Sequence, residues 1–123
     1  MKIRAVLKDV YVPRFNGNRD LDEKDQVTVE IIWPTAAQRE SLKGYRINPA
    51  DQDVKVVFDT ERILETHIGK ITNLEPELNG KPAPVKNGKD LAETKVTALV
   101  PLIDELKGYI TSEDGLEEEQ VKN

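Results

Sequence analysis

From Val54 to Ile71 (VKVVFDTERILETHIGKI) the apolar positions change period. Val54, Val56 and Phe58 alternate with polar or outward positions, the pattern of a half-buried strand. Asp59 or Thr60 then offers a side-chain oxygen to cap a helix. Ile63, Leu64, His67, Ile68 and Ile71 follow at steps of one, three and four, which gathers them on one face of a helix. A strand running straight into an amphipathic helix builds a core, and the remaining apolar stretches are expected to bury against it.

Residues 2–12 read as a strand, with Ile3, Ala5 and Leu7 in alternation and Val10 and Val12 resuming it before Pro13 ends the ladder. Arg14 to Asp25 is a polar loop, with turn chemistry at Asn16-Gly17-Asn18. Val27, Val29 and Ile31 alternate again up to Trp33. Two strands joined by a long polar loop predict an extended N-terminal hairpin, and such an arm leaves strand edges open to partners. Thr35 and Gln38 form a capping-box pair, so a short helix is expected from Ala36 to near Gly44, followed by a loop over 46–53. Asn73 suits a helix terminator. Between Glu75 and Gly88, Pro76, Pro82 and Pro84 with two Asn-Gly pairs predict a loop holding a small hairpin at Asn79-Gly80. Lys89 to Glu93 is a short helix with Asn87 as its cap. Leu99, Leu102, Ile103, Leu106 and Ile110 define a second main helix within Thr97–Thr111. Pro101 is tolerated only in a first turn, so that helix starts close to Ala98. Gly108 weakens it by about 1 kcal/mol relative to Ala.

These elements predict one α+β domain over 1–123: a hairpin arm (1–33), a short helix and a strand–helix unit (34–75), a Pro/Gly loop and C-terminal helix (76–111), and a flexible acidic end (112–123). The strand at 54–58 is expected to join the hairpin, with the two main helices packed on one face. Apolar residues make up 37% of the chain and charged residues 33%, so the core is lean for the surface it must support. The net charge of -5 opposes binding to nucleic acid, whose phosphates select for Lys and Arg. Without cysteine there are no disulfides, thiolate metal sites or thiol nucleophiles. Charges interrupt the first apolar stretch as they would not in a signal peptide, and no apolar run approaches the roughly 20 residues that span a bilayer. A cytoplasmic protein without membrane contact is expected.

Candidate chemistry is sparse. His67 is the single histidine, and no HExxH-type pair accompanies it, so it reads as a helix residue at the edge of the core. Asp20, Asp22, Glu23 and Asp25 crowd one loop but lack the glycine and closing glutamate of a calcium loop. Gly80 and Gly88 do not have phosphate-loop spacing. Neither Ser41 nor Ser112 stands in a nucleophile motif. No catalytic, metal or cofactor residue is assigned, and an enzyme is not expected. Tyr11, Phe15 and Trp33 cluster around the hairpin, as core anchors or as interface anchors. Together with Leu99, Ile103 and Leu106 they form the candidate partner-binding set. An apolar groove would lie between Ile63–Ile71 and Leu99–Ile110 wherever those helices leave each other uncovered. The acidic end could dock on a basic partner.

Taken in order, the strings VPRFNGNRDLDEKDQVTVEIIWPTAAQRE, ERILETHIGKITNLE, NGKPAPVKNGKDLAE and LEEEQVKN resemble small proteins of tailed-bacteriophage structural operons, nearest to the tail assembly chaperones and related tail accessory proteins. The resemblance implies a non-enzymatic factor in the host cell cytoplasm that binds hydrophobic segments of phage tail proteins, notably the tape measure protein, and delivers them for tail assembly. No functional residue is carried over, because the group has no fixed motif to map. The long N-terminal hairpin departs from its commoner members. That departure supports an alternative, a structural tail or head–tail component of the virion that assembles with its neighbours, or with copies of itself, through the arm.

Overall fold

The computed structural model describes Met1, Lys2 and residues 7–111. In chain order the elements are strands β1 (Lys8–Tyr11) and β2 (Thr28–Ile32), helix α1 (Ala36–Ser41), strands β3 (Lys43–Ile47) and β4 (Val54–Phe58), helix α2 (Thr60–His67), strand β5 (Ile68–Thr72), the short pair β6 (Glu77–Leu78) and β7 (Lys81–Pro82), helix α3 (Gly88–Glu93) and helix α4 (Val100–Thr111). The fold is α+β, and its N-terminal strands do pair antiparallel. The acidic end, Ser112 to Asn123, and residues 3–6 of the expected first strand lie outside the described residues.

The core sheet has the order β1-β2-β5, antiparallel throughout. The N-terminal hairpin is therefore not an exposed arm. Strand β2 is the central strand, and its Val29 and Ile31 are wholly buried. The third strand is β5, not the 54–58 segment expected there. This follows from an early end to the helix: α2 stops at His67, and Ile68 has already turned extended (φ -110, ψ 121). The register explains why residues 68–71 imitate a helix. Val29 faces Ile71 and Ile31 faces Ile68, so β5 carries one extra residue between the pairs. That bulge puts Ile68 and Ile71, three apart, both in the core. A regular strand would have put them on opposite faces, and a step of three mimics a helical stripe.

Helices α2 and α4 cover the sheet, with Ile63 and Leu64 from one and Leu102, Leu106 and Ile110 from the other in a single buried cluster. These side chains fill the space between the two helices, where a groove was expected only if they left each other uncovered. Asp59 caps α2 by accepting from the Arg62 N–H (3.2 Å). At its other end, the His67 ring sits buried with Nδ1 2.9 Å from the Ile32 carbonyl oxygen, which ties the helix to β2. Asn87 caps α3 through the Asp90 N–H (2.8 Å). A turn of tighter helix at Thr97–Leu99 leads into α4, which places Pro101 in its first turn as the sequence requires. Asn79 and Gly80 take positive φ in the β6–β7 turn. Asn73 is also left-handed (φ 63), but it ends strand β5 rather than a helix.

The loop from Val12 to Gln26 is tightly held. Buried Asn18 donates from Nδ2 to the carbonyls of Pro13 (2.9 Å) and Val27 (3.0 Å) and accepts from the Val27 N–H (2.7 Å). Asn73 donates to the carbonyls of Lys24 and Gln26 across the sheet end. Glu105 on α4 accepts from the Tyr11 hydroxyl (2.5 Å) and from the N–H groups of Arg14 (2.7 Å) and Phe15 (3.0 Å). Polar side chains thus do for this loop what apolar burial does for the helices.

Candidate interaction surface

Helix α1 is set by its cap: Thr35 Oγ1 accepts from the Gln38 N–H and Gln38 Oε1 accepts from the Thr35 N–H. It ends at Ser41, earlier than Gly44, because Leu42 drops into the core and the chain turns out as a strand. The segment 43–58 forms a two-stranded ribbon, β3 with β4, that among the described residues joins neither of the other sheets. At its root the Asp59 N–H donates to the Leu42 carbonyl (3.1 Å), and half-buried Phe58 packs against the core. At its tip the Asn48 side chain accepts from the Ala50 N–H, the Asp51 carboxylate accepts from the Asp53 N–H, and Gln52 takes a positive φ of 58. These local bonds close the turn without help from the body.

Paired residues share a face, so the register assigns the two sides of the ribbon. Tyr45 with Val56 and Ile47 with Val54 form one side. They are exposed by 67, 52, 64 and 60% in that order. At roughly 100 Å² a residue this is about 400 Å², within the range of the largest apolar patch on a typical monomer, which is often functional. The other side carries Gly44, Val57, Arg46 and Lys55, with Arg46 directly opposite Lys55. Strand 54–58 was expected to be half-buried in the main sheet, but only Phe58 reaches the core. The face of the core it would have covered is already taken by β5. A two-stranded ribbon standing alone is marginal in water, so this one depends on its root.

The residues singled out from the sequence come together elsewhere. Tyr11 stacks on Tyr109 (centroids 4.1 Å apart, planes 24° apart), and Trp33 meets the same ring at 5.1 Å. Arg19 lies over Tyr11 at 5.6 Å. Trp33, Leu99 and Leu106 are buried, and Phe15 and Ile103 are half-buried against the core cluster. In the folded chain they hold α4 and the long loop to the sheet. Buried Trp33 leaves its indole N–H without a hydrogen-bond partner among the described residues. The Tyr11 hydroxyl is pushed up to about 12, by burial first and then by the hydrogen bond and charge of Glu105. Burial lowers the pKa of His67 below its ordinary value, helped by the nearby Arg62 charge and opposed by the bond to Ile32.

Two shallow depressions flank the β6–β7 hairpin. One of about 270 Å³ is lined by Leu78, Val85, Asp90 and Glu93 among others; one of about 290 Å³ is lined by Leu74, Pro76, Pro82 and Lys86 among others. Among the described residues no three His, Asp or Glu side chains gather as a metal site, and no helix is long and apolar enough to cross a membrane. No family model, curated protein or solved structure matches the chain.

Sequence reasoning missed the ribbon as a surface. A helix was expected from Ala36 to near Gly44, and a loop over 46–53. The signal was present in KGYRI and VKVVF, two alternating segments of equal length on either side of an Asn-Pro turn.

Proposed function

We propose that this protein is a non-enzymatic protein-binding factor of phage tail morphogenesis, chaperone-like in its work, and that the β3–β4 ribbon is the part that holds its client. The observation that supports this reading is the ribbon itself: four apolar side chains on one solvent-facing side of a sheet whose two edges are unpaired among the described residues. An extended polypeptide adds to such an edge through backbone hydrogen bonds and lays its own apolar side chains beside Tyr45, Ile47, Val54 and Val56. The resemblance of the sequence to tail assembly chaperones supplies the client class, hydrophobic segments of tail proteins including the tape measure protein.

The test is co-expression with phage tail proteins, the tape measure protein first, followed by sedimentation and by affinity measurement on the purified complex. Replacing Tyr45→Ser together with Val56→Ser should weaken the complex at least about tenfold, while thermal unfolding of the body stays unchanged, because both side chains are exposed. If the wild type binds none of those proteins, or the double variant binds them equally, the reading fails. The ribbon also favours a second reading, a structural virion component that pairs strands with its neighbours. On that reading the arm is 43–58 instead of the N-terminal hairpin, and mass spectrometry of finished particles would find the protein in them.

A further inference from the structure

The ribbon's two sides differ in chemistry, and this specifies what can lie along it. One side is apolar. On the other, Arg46 faces Lys55 across the strands. Like charges placed directly opposite repel, and a neighbouring carboxylate would relieve such a pair. Among the described residues neither cation has one: the ion pairs there are Lys8 with Glu30 and Lys43 with Glu40. A strand added to either edge would send alternate side chains to the two sides. Its side chains would meet Lys55 first on the β4 edge or Arg46 first on the β3 edge, with the other cation one strand, about 5 Å, further away.

We infer that the ribbon selects an extended polypeptide in which apolar and acidic residues alternate, the apolar set lying with Tyr45, Ile47, Val54 and Val56 and the carboxylates neutralising Arg46 and Lys55. The inference rests on the ribbon being the client-binding element and names the client's chemistry. A second copy of this chain is a poor occupant of the same edges. Each of its own strands brings a cation and no carboxylate to the Arg46–Lys55 side, so edge pairing between copies with the apolar sides aligned would add positive charge to that side. The selectivity against self-pairing and the selectivity for an acidic client come from the same two side chains.

The experiment uses the full chain and three labelled synthetic peptides: alternating Val-Glu, alternating Val-Lys, and a peptide of the Val-Glu composition with its residues in two blocks. Fluorescence anisotropy should give the alternating acidic peptide an affinity about tenfold tighter than either control. At about 1 M salt, where screening reaches about 3 Å, its advantage over Val-Lys should shrink. Backbone amide shifts should change within residues 43–58. The charge-reversed variant, Arg46→Glu with Lys55→Glu, should prefer Val-Lys by a similar factor. One like-charged exposed pair replaces another in that variant, so its melting temperature checks that the fold is kept. Equal binding of the acidic and basic peptides, shifts confined to other elements, or ribbon-mediated dimers of the wild type at the assay concentration would each overturn the inference. If peptide preference is absent while Tyr45→Ser with Val56→Ser still abolishes tail-protein binding, this inference falls and the client-binding reading stands. Peptide preference without any tail-protein complex gives the reverse.

Discussion

Replacing Glu105→Ala should release the long loop from α4, and the size of the effect can be worked from its contacts. The carboxylate accepts from the Tyr11 hydroxyl at 2.5 Å, the Arg14 N–H at 2.7 Å and the Phe15 N–H at 3.0 Å. Hydrogen bonds to a charged group are worth roughly 1.5–3 kcal/mol each when desolvated. The Arg14 bond is exposed and the other two are half-buried, so water replaces part of the loss and about 1 kcal/mol per bond is a fair figure. The sum, about 3 kcal/mol, corresponds to a fall of about 10 °C in melting temperature for a domain of this size. Urea unfolding followed by tryptophan fluorescence measures it directly, since Trp33 lies against Tyr109 beside this contact. A double-mutant cycle with Tyr11→Phe should show a coupling of about 1 kcal/mol. Spectrophotometric titration adds a readout that a general loss of packing would not give. Tyr11, now near 12, should titrate lower in Glu105→Ala yet stay above 10, because burial persists. In the wild type the raised pKa stabilises the fold fully below pH 10, and that contribution fades between pH 10 and 12. A destabilisation under about 1 kcal/mol with an unmoved tyrosine titration would refute the view that Glu105 organises this loop.

Three further expectations concern single side chains. Gly88→Ala should destabilise by about 2–3 kcal/mol in chemical denaturation, because a Cβ there would lie 2.5 Å from the Ile68 carbonyl oxygen and closer still to that of Leu64, both backbone atoms that cannot turn aside. Gly108→Ala should do the opposite, raising stability by about 1 kcal/mol, since the site is exposed, nothing lies within 4 Å and the helical penalty of glycine is simply removed. Burial lowers the folded-state pKa of His67, so its stabilising contribution is complete above pH 6.5 and fades as the pH falls below that; the stability gap between wild type and His67→Gln should therefore narrow from pH 7.5 to pH 5.5, and a constant gap would refute the assignment of a neutral, Nδ1-donating ring.

Much of the fold was legible where a local signal sufficed. The Thr35–Gln38 cap, the Asn87 cap, the Asn79-Gly80 turn, the placement of Pro101 and the alternation in β2 each depend on residues a few positions apart. The errors have two physical origins. A bulge in β5 gave Ile68 and Ile71 a helical spacing, so a strand was read into the preceding helix. An amphipathic strand has the same pattern whether its apolar side meets the core or the solvent, and nothing local in VKVVF says that β5 has already taken the place beside β2. The ordering of the 12–26 loop was likewise invisible, because Asn73 and Glu105 reach it from far along the chain. The candidate surface was missed for the same reason as β4. Tyr11 and Trp33, chosen in its place, pack on Tyr109, a residue with no local signal to single it out.

The ribbon leaves and re-enters the body at neighbouring points, where the Asp59 N–H reaches the Leu42 carbonyl. Chain between such points behaves as a cassette. Its length, tip and side chains can drift, or be swapped for those of another hairpin, while the three-stranded sheet beneath folds as before. A lineage could therefore change the surface this segment presents without redesigning what holds it up.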